Sequence, residues 1–259
     1  MNDLWIRTVL LSLLLMSGCS DSVHTGTTIE TSTLQAEVLE SQEQFSEKTK
    51  GLPKAFFPEL KFNVQSKLRL NKQLATIEAL ECNWDHHIET CTWTLNGNSV
   101  KEVVRHFDEN NQPLAPEAFF DGVENGIPRI QKLKYEESSM DFEYTMNRTI
   151  QYNLNTKANS RVESGWAVYQ TKDGWELNVT DLEWSYSGTL GNWNLDSVYM
   201  GLSWEEGNYF ADLFAAKQDF LNLEDTDAVA ASPVETSEEG TVGTLEWKKS
   251  GGLDWIINN

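Results

Sequence analysis

Cysteine and histidine residues cluster in one short segment of this 259-residue sequence. Cys82 and Cys91 are separated by eight residues. A redox pair more often has two intervening residues, so the wider spacing favours a structural disulfide between neighbouring strands. Asp85, His86 and His87 lie between the cysteines. Adjacent histidines on a strand point to opposite faces, so we expect a solvated hairpin tip here rather than a metal site.

Aromatic residues form a second group, because four tryptophans recur at intervals of nine: Trp166, Trp175, Trp184 and Trp193. Such a repeat suits either a platform that stacks sugar rings or a β-meander with tryptophans in its core. A two-residue turn at Asp173-Gly174 places Trp166 and Trp175 on one apolar face. It leaves Trp184, Tyr186 and Trp193 as the candidate ligand-binding residues. Core packing is the favoured interpretation for the series as a whole.

Paired carboxylates form the third group, in Asp181/Glu183 and Glu205/Glu206. A glycosidase needs two carboxyl groups about 5 to 9 Å apart across a cleft, which sequence spacing does not establish. The sequence contains no Gly-x-Ser-x-Gly elbow, P-loop, His-Glu-x-x-His or Gly-x-Gly-x-x-Gly motif. We therefore assign no catalytic residue, no metal ligand and no cofactor.

The charge is strongly negative, with 40 Asp and Glu against 20 Lys and Arg and a net charge of −20. Residues 173–246 contain 16 of the acidic residues and a single basic one, Lys217, whereas residues 53–75 are locally basic. Binding of DNA or RNA needs clustered cations, so the composition argues against a nucleic-acid partner. The acidic half is either a solvated surface or a face that binds a basic partner.

The N-terminus has the pattern of an export signal. Arg7 precedes an apolar run over residues 9–16, which is too short for a membrane-spanning helix of about 20 residues. The motif Met16-Ser17-Gly18-Cys19 resembles the lipobox of bacterial lipoproteins. The resemblance implies cleavage before Cys19, acylation of that cysteine, and an oxidising compartment suited to the disulfide. Ser20 in the next position implies the outer membrane rather than the inner one.

Periodicity outlines the elements of the chain beyond the signal. Residues 20–33 suit a flexible tether, and residues 34–49 suit a helix with a thin apolar stripe that begins at a capping box on Ser32. Residues 209–223 have helical spacing, and residues 224–240 are polar and acidic like a loop. Bulges at Asp181 and Asp196 would keep neighbouring apolar residues on one face. The predicted strands are residues 75–84, 88–95, 140–153, 161–170, 242–247 and 253–257, with 100–107 as strand or short helix, and with hairpin turns at Asn96-Gly97, Asp173-Gly174 and Ser250-Gly251-Gly252.

These features predict a mainly β (α+β) fold, an antiparallel meander or sandwich-like sheet with a few helices, preceded by a flexible lipidated tether. Residues 1–18 form the signal peptide, 19–52 the anchor, tether and helix, and 53–259 a β-rich body. That body is either one unit or two subdomains, 53–135 and 136–259.

The expected function is a lipid-anchored, non-enzymatic envelope component that binds a protein with a basic surface. Its membrane contact is the lipid anchor. One alternative is a carbohydrate-binding module that uses Trp184, Tyr186 and Trp193. The last alternative is a hydrolase with an unrecognised carboxylate site.

Overall fold

A computed structural model describes residues 27–59, 61–63, 77–114, 129–154, 159–189, 192–220, 227–237 and 240–257. The chain divides into two compact units, Met1–Glu37 and Val38–Asn259. The described part of the first unit is the beginning of a helix, α1 (Thr27–Lys48), and the sheet lies wholly in the second. The helix starts at Thr27, so residues 27–33 are helical rather than tether. The capping box expected at Ser32 falls inside the helix.

Thirteen strands in the described ranges form one antiparallel sheet. They are β1 (Lys61–Asn63), β2 (Ile77–Asp85), β3 (Ile88–Leu95), β4 (Asn98–Phe107), β5 (Ile130–Ser138), β6 (Phe142–Asn153), β7 (Asn159–Thr171), β8 (Glu176–Thr189), β9 (Asn192–Trp204), β10 (Tyr209–Ala216), β11 (Ala228–Thr236), β12 (Gly240–Lys248) and β13 (Leu253–Ile257).

Strands β2 to β13 pair in sequence order, and β1 pairs with β9 beyond the end of β10. The predicted antiparallel meander is confirmed, as a single open sheet. The boundary considered between residues 135 and 136 falls inside β5, so the sheet does not divide there.

Two of the predicted hairpins close as the turn residues require. Leu95 pairs with Asn98 across Asn96-Gly97, whose φ angles of 51° and 86° match the type I′ turn that this dipeptide favours. Strands β12 and β13 meet across Ser250-Gly251-Gly252, as expected.

The third turn differs from its prediction by one residue. Tyr169 pairs with Leu177, so the loop is Lys172-Asp173-Gly174 and not Asp173-Gly174 alone. The Thr171 N–H donates to the Trp175 carbonyl at 2.9 Å, and Gly174 takes a φ of +92° that suits the last position of a three-residue loop. A shift of one residue moves a strand's side chains to the other face, which turns Trp166 to the outside.

The bulge expected near Asp196 is confirmed, and a bulge near Asp181, which the sequence left open as the alternative to an exposed Trp184 and Tyr186, is also present. The register shifts between Val179 and Asp181, and again at the position of Asp196. Each extra residue restores the alternation, and apolar side chains therefore stay on one side of β8 and β9. We call this buried side the inner face and the opposite side the outer face.

Two segments assigned from periodicity take a different structure. Residues 209–216 form β10 and not a helix, with Tyr209, Ala211, Leu213 and Ala215 buried in alternation. The helix was predicted because aromatic residues on both faces of this strand have a spacing that also fits a helix. Residues 228–236 form β11 rather than a loop, because Val229, Ala230 and Val234 are buried beside the neighbouring strand.

The C-terminal part of α1 covers the inner face of the sheet. Phe45 is fully buried among Trp175, Trp204 and Trp255, with ring centroids 6.0, 4.7 and 5.9 Å away. Burying one such side chain contributes about 1.5–3 kcal/mol. Among the described residues, no helix is long and apolar enough to cross a membrane.

Candidate functional site

The three aromatic residues proposed for ligand stacking lie in the core. Trp184, Tyr186 and Trp193 are 1%, 3% and 1% exposed on the inner face. The prediction that they bind a ligand from the surface is therefore wrong. The bulge near Asp181 turns Trp184 and Tyr186 inward, and the one at Asp196 keeps Trp193 on the same side as the rest of β9.

These aromatic residues border a buried ion cluster formed by Arg148, Glu163 and Arg161. Arg148 Nη1 donates to Glu163 Oε2, and Arg161 Nη2 contacts Glu163 Oε1, each at 2.5 Å. Arg148 also lies 5.2 Å from the Trp184 ring centre, within cation–π range. The side chains of the cluster are 13% exposed or less.

The electrostatics of the cluster follow from its burial. Burial by itself lowers the pKa of Arg148, but the neighbouring Glu163 carboxylate raises it, and the net direction is upward. Desolvation raises the pKa of Tyr186, and the charge of Glu163 raises it further. Guanidinium groups stay protonated, so the cluster supplies fixed charge and positioning rather than proton transfer. It ties β6 to β7 inside the core.

The two acidic pairs do not face a common cleft. Ser41 of α1 donates to Glu205 Oε2 at 3.0 Å, and burial raises the pKa of Glu205 above its ordinary value. Glu206 instead lines a shallow cleft on the outer face. Asp181 and Glu183 are both exposed. The arrangement of a two-carboxylate hydrolase is therefore not met by either pair.

The outer face of β7 to β10 carries exposed aromatic residues. Trp166 is 45% exposed, Phe210 37% and Phe214 62%. Tyr199 stands directly opposite Phe214, and its hydroxyl donates to Asp212 Oδ1 at 3.0 Å. We call this surface the aromatic–acidic patch, made of Trp166, Tyr199, Phe210 and Phe214 with Glu183 and Asp212.

Gly201 forms the floor of the patch. It pairs with Asp181 on one side and Asp212 on the other. A Cβ at this position would meet Thr180 Oγ1 at 3.2 Å and Asp212 Oδ1 at 3.3 Å. The absence of a side chain leaves the surface low between the flanking strands. Beside it lies a shallow cleft of about 450 Å³, lined by Trp166, Val168, Asn178, Thr180, Ser203 and Glu206.

Signals for these two features in the sequence are weak. A two-residue turn predicts Trp166 in the core, and the actual loop is one residue longer. Phe210 and Phe214 were assigned to a helix, although their alternation with Ala211 and Leu213 is a period of two with apolar residues on both faces. Arg161 and Glu163 are charged residues on either side of Val162, and the local sequence carries no sign that they are buried.

The cysteine and histidine segment has the structure that its spacing favoured. Cys82 and Cys91 stand directly opposite on β2 and β3 and form a disulfide. His86 is exposed at the hairpin tip beside Asp85, as expected. The metal-like grouping found in the described ranges is Cys82, Glu89 and Cys91, and its two sulfurs are already bonded to each other. The role of this segment is therefore structural, since its disulfide joins β2 to β3.

Cys19 lies outside the described residues, and its lipidation stays a prediction. No protein-family model, no curated protein sequence and no solved structure matches this chain. Its function must be argued from its own surfaces.

Proposed function

We propose that this chain is a lipid-anchored, non-enzymatic component of the bacterial cell envelope that binds a protein with a basic surface. The observation that carries the proposal is the aromatic–acidic patch. Exposed rings on adjacent strands meet carboxylates there, with the Tyr199 hydroxyl bonded to Asp212.

Aromatic side chains on an exposed sheet face suit a protein interface. Tyr, Trp and Phe are enriched at the cores of interfaces, where their rings bury a large area at small cost in conformational entropy. Phe214 projects from the C-terminal half of β10 with more than half of its surface in water. Covering it with a partner removes apolar surface from solvent, which favours association.

The charges around the patch indicate the chemistry of the partner. Strands β8, β9 and β10 contain no Lys or Arg, whereas Glu176, Glu183, Asp212 and the neighbouring Glu235 are exposed. Such a surface attracts Lys- and Arg-rich surfaces and repels acidic ones, which sets association rate and partner choice.

The N-terminal motif supports the anchored location. The resemblance of residues 16–19 to a lipobox assigns acyl chains to Cys19, and each buried methylene contributes about 0.8 kcal/mol to membrane binding. Ser20 favours the outer membrane. Anchoring raises the effective concentration of the patch near other envelope proteins, so a modest affinity suffices.

Photo-crosslinking in intact bacteria tests the proposal with the anchored full chain. We expect a crosslinking amino acid at position 214 to give one discrete adduct with a basic protein. The same group at position 140, where Met140 is 92% exposed outside the patch, should not give it. The charge reversal Asp212→Lys should reduce the adduct at least fivefold, since it replaces attraction by repulsion. Equal adducts at both positions, or insensitivity to Asp212→Lys, would overturn the proposal.

A glycan-binding function is the second candidate, and the cleft beside Trp166 favours it. An exposed tryptophan stands there with Asn178, Thr180 and Ser203, which offer amide and hydroxyl groups to a sugar. This candidate expects envelope glycans to quench the fluorescence of the wild-type protein but not of Trp166→Phe. A flat titration over a broad glycan panel excludes it.

A further inference from the structure

A second charged surface lies on the outer face, on strands β4 and β5. Lys101 and Arg105 point outward from β4, and Lys132 and Lys134 point outward from β5. Glu136 pairs with Lys134 at 2.6 Å. We call these four cations the β4–β5 basic patch.

Two cations of this patch stand directly opposite each other. Arg105 and Lys132 are register partners on β4 and β5, and both are exposed. Like charges at directly opposed positions destabilise a sheet. Within the described ranges, neither Arg105 nor Lys132 has a carboxylate within ion-pair distance. The Lys132 ammonium instead lies 5.1 Å from the Phe107 ring centre.

Two opposed cations without a carboxylate partner are unexpected in a chain of this composition. Acidic residues outnumber basic ones two to one, 40 against 20, so an exposed cation has many possible acidic partners. Lys172 and Lys217 do, since they pair with Glu143 and Asp196. Glu136 offsets part of the charge of Lys134, its ion-pair partner, and of Lys101, its register partner on β4. Arg105 and Lys132 have no such partner among the described residues, so their charge is available for an external anion.

We propose that the β4–β5 basic patch binds the phosphate-bearing surface of an anionic lipid bilayer. This inference rests on the proposed lipid anchoring, which already brings the body close to a membrane. One acyl anchor with a basic patch is the usual pairing of signals for stable and oriented attachment. Each Lys or Arg near such a surface strengthens binding about fivefold.

The geometry of the patch suits a bilayer more than a small anion. Its cations project from a sheet face on long, flexible side chains. A surface with many mobile phosphates can meet all four side chains at once, whereas one free phosphate would contact only one or two of them.

The β4–β5 basic patch and the aromatic–acidic patch lie on separate strands of the outer face, with β6 between them. The anionic headgroups would repel the acidic strands β8 to β10 and so favour contact through the basic patch.

Vesicle co-sedimentation tests the proposal with the mature chain, residues 19–259, carrying Cys19→Ala, which is neither acylated nor joined to the apolar signal segment. We compare neutral phosphatidylcholine vesicles with phosphatidylcholine–phosphatidylglycerol vesicles. The double variant Arg105→Gln/Lys132→Gln should bind the anionic vesicles roughly 25-fold more weakly, since two cations are lost. The matched control Lys172→Gln/Lys217→Gln removes the same charge elsewhere and should bind like the parent. Thermal unfolding of each variant confirms that it is folded.

Several results would overturn the proposal. One is equal binding of the parent to both kinds of vesicle, and another is an equal loss in the control variant. Stronger displacement by inorganic phosphate than by chloride at the same ionic strength would assign the patch to a free anion. Sedimentation equilibrium that finds a dimer lost in Arg105→Gln/Lys132→Gln would assign it to a second copy. The Asp212→Lys variant should keep its vesicle binding, so failure here is separable from failure of the protein-binding proposal.

Discussion

Phe45 of α1 packs against Trp204 of β9 with ring centroids 4.7 Å apart, and both side chains are fully buried. The contact joins the helix to the centre of a sheet that has no second sheet against it in the described residues. Trp204 also contacts Trp255 of β13 with ring centroids 5.3 Å apart, so helix and distant strands share this part of the core.

We expect Phe45→Ala to lower the free energy of unfolding by about 3–5 kcal/mol, since it removes a buried ring and leaves a cavity. Urea denaturation followed by tryptophan fluorescence measures the loss. Leu39→Ala on the same helix is the control, because Leu39 is 52% exposed and its loss should cost little. A cost below about 1 kcal/mol for Phe45→Ala would contradict the assigned packing.

Glu163→Gln should destabilise the protein by about 3–5 kcal/mol, because it leaves two buried guanidinium groups without their shared counter-charge. The exposed Glu176→Gln is the control and should stay within about 0.5 kcal/mol of the parent. Equilibrium urea unfolding at neutral pH distinguishes the two. Similar midpoints for both variants would show that the ion cluster is not the constraint we infer.

The contact between Lys48 and Asp173 predicts a dependence of stability on acid. A hydrogen bond from Lys48, with a second from Thr171, lowers the pKa of Asp173 to about 2. A depressed carboxyl pKa contributes stability that is present above the ordinary value near 4 and is lost as pH falls toward 2. Between about pH 4 and pH 2, the melting temperature of Asp173→Asn should therefore fall less than that of the parent. Asp173 is exposed, so the effect is small.

The matched control for that pH profile is Asp254→Asn, which removes an exposed carboxylate from β13. Parallel acid profiles for the Asp173→Asn variant and the parent would refute the role of the Lys48 contact. The Lys48 pKa is raised by the same contact, so its contribution is present below the ordinary lysine value and fades above it.

Gly165→Ala should destabilise by roughly 2–4 kcal/mol, because a Cβ there would meet the Asn147 carbonyl oxygen at 1.9 Å. Strands β6 and β7 would have to move apart at this position, which lies next to Trp166 and the bulge between β7 and β8. Gly201→Ala, whose Cβ would meet side-chain atoms at 3.2 Å, is the milder comparison. Thermal unfolding should rank the variants in that order, and the reverse order is incompatible with the close approach of β6 and β7.

Acrylamide quenching distinguishes the exposed tryptophan from the buried ones. Trp166→Phe should reduce the quenchable part of the fluorescence intensity, whereas Trp184→Phe should leave that part unchanged and lower the unquenched part, since Trp184 is 1% exposed. Far-ultraviolet circular dichroism confirms that both variants keep the sheet. A larger loss from Trp184→Phe would restore that residue as a surface candidate.

Local patterns in the sequence were sufficient for much of the sheet. Asn96-Gly97 has a strong preference for the type I′ turn, so β3 and β4 follow from the dipeptide and the alternation around it. The change of alternation near Asp196 predicted a bulge, which the sheet contains, whereas the bulge near Asp181 was only one of two possibilities. The Cys82–Cys91 pair likewise followed from its spacing.

Other assignments depended on contacts that no local pattern contains. The Asp173-Gly174 turn allows two or three loop residues, and the choice reverses the side on which Trp166 lies. Residues 209–216 have apolar side chains on both faces, so their spacing suits helix and strand alike until β9 pairs with them.

The sequence by itself determined many of the strands, although not β10 and β11, together with most of the turns and the excess of acidic charge, because alternation and turn chemistry act over a few residues. Tertiary structure alone decided which face is covered. Burial depends on where α1 and distant strands pack, and it placed Trp184, Tyr186 and Trp193 in the core while leaving Phe214 in water. It also brought Arg105 opposite Lys132, since a cross-strand neighbour is set by register between segments far apart in the chain.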